Sequence, residues 1–166
     1  MLQRKAPGEK NSVRWLNAAA VLFLVLVLAA CGSKETPEEQ VKQFVAAGEE
    51  VFEARNIGDV KELISEKYND ELGRTRQDLV ALSARYIFSN KNIHVLTRIG
   101  ELTFPSENKA LLQLYVAMTG QNVSDLDALL NMQADLYRFD MELVREGRQW
   151  KLLKADWRRA KGEDFF

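Results

Sequence analysis

The chain has 166 residues, a formal net charge of −1, one cysteine and one histidine, Cys31 and His94. This excludes an intrachain disulfide and a His/Cys zinc site, and no basic excess favours a nucleic-acid partner. No P-loop, G-x-G-x-x-G or G-x-S-x-G pattern occurs either, so we expect no cofactor, no metal and no enzyme of those classes.

The N-terminal segment is predicted to be an export signal. Basic residues predominate before Trp15, and an apolar stretch of 16 residues then runs to Ala30, interrupted only by Asn17. A membrane-spanning helix needs about 20 apolar residues. A basic start, a short apolar stretch and small residues at its end are typical of a secretory signal peptide. We therefore expect residues 1–30 to be removed.

The end of this segment points to lipidation. Leu28-Ala29-Ala30-Cys31 resembles the lipobox of bacterial lipoproteins, which implies acyl chains such as palmitate on Cys31 and a short tether over residues 31–35. Several chains at one residue give stable anchoring. An aspartate directly after the lipidated cysteine would suggest retention in the inner membrane. This chain has Gly32 at that position, which favours the periplasmic face of the outer membrane. A plain signal peptide or short membrane anchor with an incidental cysteine is the alternative.

Three helices are predicted after the tether. Thr36 and Glu39 form a capping-box pattern with Pro37 at the first helical position, and an apolar stripe follows. Asp59 and Glu62 repeat the pattern and predict the start of a short second helix. Thr75 with Asp78 predicts the start of a third.

Four strands are predicted from Asn92 onward, where the apolar period changes to two. The second strand covers residues 111–118, the third 135–145 and the fourth 150–157, and Gly100 suggests a bulge in the first. Helices followed by antiparallel strands predict an α+β domain over residues 36–160, with a curved sheet on three helices and a tail at 161–166.

The order and spacing of these elements resemble the nuclear transport factor 2-like superfamily. Thr36 to Val41 with Phe44, Gly58-Asp59-Val60 and the closing Gly147-x-x-Trp150 carry the resemblance. More narrowly, the chain is similar to small bacterial lipoproteins with such a cystatin-like domain. The resemblance implies a cone with a pocket between the sheet and the helices.

The aromatic residues of the strands are the candidate pocket lining. They are Tyr115, Tyr137, Phe139, Trp150 and Trp157. They either fill the core or line an apolar cavity for a hydrophobic ligand.

Some enzymes of the superfamily, isomerases and cyclases, use an aspartate or histidine base in the cone. Here Asp140 lies three residues after Tyr137 and therefore on the opposite strand face. His94 is expected in the core or at the rim. No acid–base pair can be assigned, so catalysis is not expected.

Two other features are candidate surfaces. Within residues 119–134, apolar side chains could form a lid, a partner surface or a plug: Leu126, Leu129, Leu130 and Met132. Basic residues near the last strand could meet anionic headgroups or an acidic partner, or form a solvated face: Arg145, Arg148, Lys151, Lys154, Arg158 and Arg159.

These features predict a lipid-anchored, non-catalytic binding or accessory module of the bacterial envelope. Its partners would be the membrane, through Cys31, and an envelope protein or a small hydrophobic ligand. The alternative is a hydrophobic-ligand-binding or isomerase/cyclase-like cone. An open cavity of a few hundred cubic ångströms that holds a buried carboxylate would favour this alternative, and a filled core would oppose it.

Overall fold

A computed structural model describes residues 35–120, 135–161 and 164. Helices α1 (Pro37–Glu53), α2 (Ile57–Glu62) and α3 (Arg76–Ser89) precede the strands β1 (His94–Ser106), β2 (Lys109–Thr119), β3 (Asp135–Glu146) and β4 (Gln149–Arg159). The predicted α+β class, with three helices and a four-stranded antiparallel sheet, is confirmed. None of the described helices has the length and hydropathy to cross a bilayer.

Side-chain caps set the starts of α1 and α3. The Thr36 hydroxyl accepts a hydrogen bond from the backbone N–H of Glu39, and the Glu39 carboxylate accepts one from the backbone N–H of Thr36. Thr75 and Asp78 form the same reciprocal pair before α3. Two of the three predicted capping boxes are therefore confirmed, and each satisfies amides that have no partner within the helix.

The start of α2 differs from the sequence prediction. Asn56, not Asp59, is the N-cap, and its side-chain oxygen accepts hydrogen bonds from the amides of Gly58 and Asp59. The carboxylate of Asp59 instead accepts a hydrogen bond from Nδ2 of Asn56, at 2.6 Å. The prediction was wrong by three residues because asparagine caps a helix as well as aspartate does.

The four strands form one antiparallel sheet in the order β1-β2-β3-β4. The register of the β1–β2 pair shifts between Ile99 and Leu102 and again between Thr103 and Ser106, and that of the β3–β4 pair shifts between Glu142 and Leu143. Such irregularities increase twist and bend a sheet. Gly100 lies in the first of them, where an added Cβ would approach Tyr115 Cε2 to 2.9 Å.

The two sheet faces have different environments. Even-numbered residues of β2 from Ala110 to Met118 face the helices, together with Tyr137, Phe139 and Met141 of β3. The core of the domain lies between this inner face and α1, with Val41 and Leu143 fully buried. The other face of the sheet carries most of its charged side chains. The candidate site therefore lies on the apolar inner face.

Candidate functional site

A cavity of ≈ 340 Å³ lies between the inner face of the sheet and the helices. All three helices and all four strands contribute lining residues. Six of these residues are aromatic: Phe44, Phe52, Tyr86, Tyr137, Phe139 and Trp157. Most of the others are aliphatic, so the wall is apolar along most of its length.

Three of the predicted aromatic residues form one continuous strip of this wall. The ring centroids of Tyr137 and Phe139 are 6.2 Å apart, and those of Phe139 and Trp157 are 5.9 Å apart. Phe139 and Trp157 are register partners on β3 and β4. The strip arises because residues two apart on a strand share a face and register partners lie side by side.

The other two predicted aromatic residues lie elsewhere. Trp150 is buried in the core against Phe104, with ring centroids 6.0 Å apart, and is not among the lining residues. Tyr115 lies on the outer face, where the Arg98 guanidinium is 4.5 Å from its ring centroid. The inner residues of β2 have even numbers, so period two turns Tyr115 away from the cavity.

The polar end of the cavity is formed by α1 and β1. The Thr97 hydroxyl donates a 2.6 Å hydrogen bond to Oε1 of Glu49, and both residues line the cavity. Glu49 is the only carboxylate among the described residues that line the cavity. None of those residues is a lysine, an arginine or a histidine.

Sequence reasoning did not single out Glu49, although a signal was present. Val41, Val45 and Glu49 are spaced by four residues and therefore lie on one helix face. A carboxylate that continues a buried apolar stripe needs a structural or chemical reason. The four-residue spacing in α1 was therefore a sequence signal that could have identified Glu49.

Glu53, one turn after Glu49, contacts the start of β1 and is not among the lining residues. Oε1 of Glu53 accepts a 2.9 Å hydrogen bond from the backbone N–H of Val95 and lies 4.0 Å from Nδ1 of His94. The His94 side chain is 37% exposed and is not among the lining residues. It therefore lies at the rim of the sheet.

Asp140 of β3 and Asp156 of β4 are register partners that face away from the cavity. Asp140 accepts a 2.9 Å hydrogen bond from Nη2 of Arg138. Asp156 accepts one from the backbone N–H of Trp157, also at 2.9 Å. Asp140 and Tyr137 do not converge, as their odd separation predicts.

A buried carboxylate, Asp70, and its partner Arg74 support the cavity wall at Trp157. The Asp70 carboxylate accepts hydrogen bonds from Nε of Arg74 at 2.6 Å and from the Tyr68 hydroxyl at 3.1 Å. The guanidinium carbon of Arg74 lies 3.9 Å from the ring centroid of Trp157. Arg74 therefore links the buried carboxylate to the cavity wall.

This arrangement shifts two pKa values in opposite directions. Burial by itself raises the pKa of Asp70, but hydrogen bonds from Arg74, Tyr68 and the Leu72 amide outweigh it, so the pKa lies below its ordinary value of 3.8. Burial, assisted by the hydrogen bond to Asp70, raises the pKa of the Tyr68 hydroxyl. Near neutral pH Asp70 therefore stays ionised and Tyr68 stays protonated, so the tyrosine hydroxyl can donate to the carboxylate.

The basic residues of the last strand are largely paired with acids. The ion pairs are Lys151–Glu62 (4.0 Å), Lys154–Glu71 (2.9 Å), Arg158–Asp164 (3.5 Å) and Arg159–Asp135 (3.5 Å). Arg148 is exposed in the turn before β4, and Arg145 is a half-buried register partner of Trp150. These pairs offset part of the basic charge of the last strand.

Two sets of predicted functional residues lie outside the described part of the chain. One is the lipidation residue, Cys31. The other is the apolar set of the β2–β3 connection, Leu126, Leu129, Leu130 and Met132. Met118 and Tyr137, near the ends of the strands that this connection joins, line the cavity.

Comparison with known proteins supports the fold. No protein-family model matches this chain, and no curated protein sequence matches it significantly. A protein described as a scytalone dehydratase from Novosphingobium aromaticivorans superposes with a TM-score of 0.60 at 13% identity, covering 75% of this chain and 84% of that one.

Two further solved structures share the architecture. LinA gives a TM-score of 0.57 at 15% identity, covering 75% of this chain and 86% of its own. An uncharacterised protein with a cystatin-like fold from Caulobacter vibrioides gives 0.59 at 11% identity, covering 76% and 91%. At these identities the likeness shows a shared cystatin-like fold.

Proposed function

We propose that this domain binds a small, largely apolar molecule in the cavity, and that acyl chains on Cys31 hold it at a bacterial envelope membrane. The cavity of ≈ 340 Å³ is the observation that supports binding. It lies within the range of about 300–1,000 Å³ that is usual for ligand sites. Its largely apolar wall with a few polar groups, among them Glu49 and Thr97, matches the usual pattern of such sites.

The size of the cavity argues against a packing defect. Protein interiors hold few voids larger than a water molecule. This space is partly open to solvent, so it can hold water or a ligand rather than remain an empty void. A ligand that fills it would remove apolar wall surface from water, which is favourable by about 25 cal/mol per Å².

Filling the cavity from the protein side tests the proposal. Gly48 lines the cavity, and an added Cβ there would meet no atom within 4 Å. We expect Gly48→Leu to remain folded, gaining about 0.5–1 kcal/mol from helix propensity. The new side chain should weaken binding of naphthalen-2-ylmethanol at least tenfold. Equilibrium dialysis of the full chain in phosphatidylcholine nanodiscs, with empty discs as blank, measures this.

Ala46→Leu is the matched control, because Ala46 is an exposed position of the same helix. It should bind the alcohol as the unsubstituted chain does. Equal binding by Gly48→Leu, or no binding by the unsubstituted chain, would contradict a ligand site in this cavity.

The membrane anchor has its own test. We expect the N-terminal peptide of the full chain, produced in a bacterial host, to begin at Cys31 and carry a diacylglycerol thioether. Mass spectrometry of that peptide measures both features, and Cys31→Ala should yield no acylated peptide. An unmodified sulfur would contradict anchoring and leave the binding proposal unaffected.

Catalysis in the same cavity is the second candidate. A half-buried carboxylate, Glu49, stands at the edge of an apolar space, and such a group can act as a general base. Proteins described as a scytalone dehydratase and as LinA share the fold. Binding is favoured because the described lining residues include no second carboxylate and no histidine to complete an acid–base pair.

A further inference from the structure

The charge of the cavity is one-sided. Among the described lining residues Glu49 is the only carboxylate, and none is a lysine, arginine or histidine. His94 lies beside Glu53, with Nδ1 4.0 Å from Oε1, and is not among the lining residues. A ligand that enters the cavity therefore meets an acidic side chain, with no basic side chain beside it in the described part of the wall.

Glu49 is held in place with part of its hydrogen-bonding capacity unused. Oε1 accepts the Thr97 hydroxyl at 2.6 Å, and among the described residues no hydrogen bond reaches Oε2. An ionised carboxylate accepts up to about four hydrogen bonds. The arrangement leaves room for a donor supplied by a ligand.

The aromatic strip lies at a useful distance from this carboxylate. Thr97, Val116 and Tyr137 form one register row across β1, β2 and β3. At about 4.8 Å per strand, Tyr137 is roughly 10 Å from Thr97 across the sheet. A molecule with its head at Glu49 can therefore lay a ring or short chain along Tyr137 and Phe139.

We infer that the cavity selects organic amines: molecules with a protonated amino head and an apolar or aromatic body. This inference rests on the proposed binding function and specifies the ligand class of the same site. The ammonium group donates to Glu49, in a hydrogen bond strengthened by charge, while the apolar body contacts the aromatic strip. A carboxylate ligand of the same shape would bring a second negative charge to Glu49.

A matched ligand series tests the selection. The probes are naphthalen-2-ylmethylamine, naphthalen-2-ylmethanol and naphthalene-2-carboxylic acid, which share the ring system and differ in the charge of the head. Equilibrium dialysis at pH 7 uses the full chain in zwitterionic phosphatidylcholine nanodiscs, with empty discs as blank. We expect the amine to bind about 10- to 100-fold more tightly than the alcohol, and the acid to bind most weakly.

Substitution of Glu49 tests whether this carboxylate is the cause. Glu49→Gln keeps the shape and the acceptor for Thr97 but removes the charge, so the preference of amine over alcohol should fall to about threefold or less. Glu50→Gln, an exposed glutamate of the same helix, should leave the preference unchanged. Circular dichroism of each variant confirms that the fold is retained.

The outcomes separate this inference from the proposed function. Equal binding of the amine and the acid, or an amine preference that persists in Glu49→Gln, would overturn amine selection while alcohol binding still supports a ligand site. Binding of none of the three compounds would overturn both.

Discussion

Replacement of Asp70 by alanine should lower the free energy of unfolding by about 3–5 kcal/mol, the cost of breaking a buried ion pair. The Asp70 side chain is 1% exposed and accepts a 2.6 Å hydrogen bond from Nε of Arg74. Without it, the Tyr68 hydroxyl and the partly buried guanidinium lose their acceptor. Urea-induced unfolding at pH 7 measures the change.

Asp140→Ala is the matched control for this substitution. Asp140 also pairs with an arginine, Arg138, but its side chain is 49% exposed. Exposed pairs contribute about 0–1 kcal/mol, so we expect little change. Similar losses for the two variants would show that the Asp70 cluster is not a buried structural unit.

The stability that Asp70 provides should depend on pH in one direction. The pKa of its carboxyl lies below the ordinary value of 3.8 in the folded state, so the unfolded chain binds the proton more readily. The contribution is therefore fully present above the unfolded pKa and is lost as the pH falls through the folded pKa. Asp70→Asn should remove this component of the acid dependence, measured by urea unfolding between pH 7 and pH 3.

Neighbouring leucines of β2 should respond very differently to truncation. Leu112 is 2% exposed on the inner face, whereas Leu111 is 42% exposed on the outer face. We expect Leu112→Ala to cost about 2–5 kcal/mol, because it removes buried contacts and leaves a cavity. Leu111→Ala should change the free energy of unfolding by no more than about 1 kcal/mol, because the exposed side chain makes few buried contacts.

Thermal and urea unfolding of the two leucine variants measure this difference directly. Equal losses would mean that the second strand pairs one residue out of register, since a slip of one residue exchanges the two faces. Leu143→Ala, at a fully buried position of β3, should behave like Leu112→Ala and serves as the positive control.

Local patterns predicted the helices and strands because their signals lie within a few residues. Each capping box involves residues three apart, as with Thr75 and Asp78, and each is satisfied by backbone amides of its own helix. The alternation from Tyr137 to Leu143 predicted the inner face of β3 because side chains alternate strictly along a strand. The start of α2 was missed because Asn56 and Asp59 both suit a cap.

The site was only partly predictable, because it depends on how distant elements meet. Tyr137, Phe139 and Trp157 were identified as strand aromatics, but Tyr115 and Trp150 look the same in sequence. The register with neighbouring strands decides which of them face the cavity. Glu49 reaches the polar end only because α1 packs beside Thr97, 48 residues away along the chain.

The amino-acid sequence by itself determined the α+β class, the two capping boxes and the alternation of β3, since these follow from local hydrogen bonding and side-chain periodicity. Only the tertiary structure decided that the inner face and the helices leave a cavity, that Glu49 is the one carboxylate among its described lining residues, and that Asp70 and Arg74 support its wall. Those features depend on long-range packing and strand register, which no short stretch of sequence specifies.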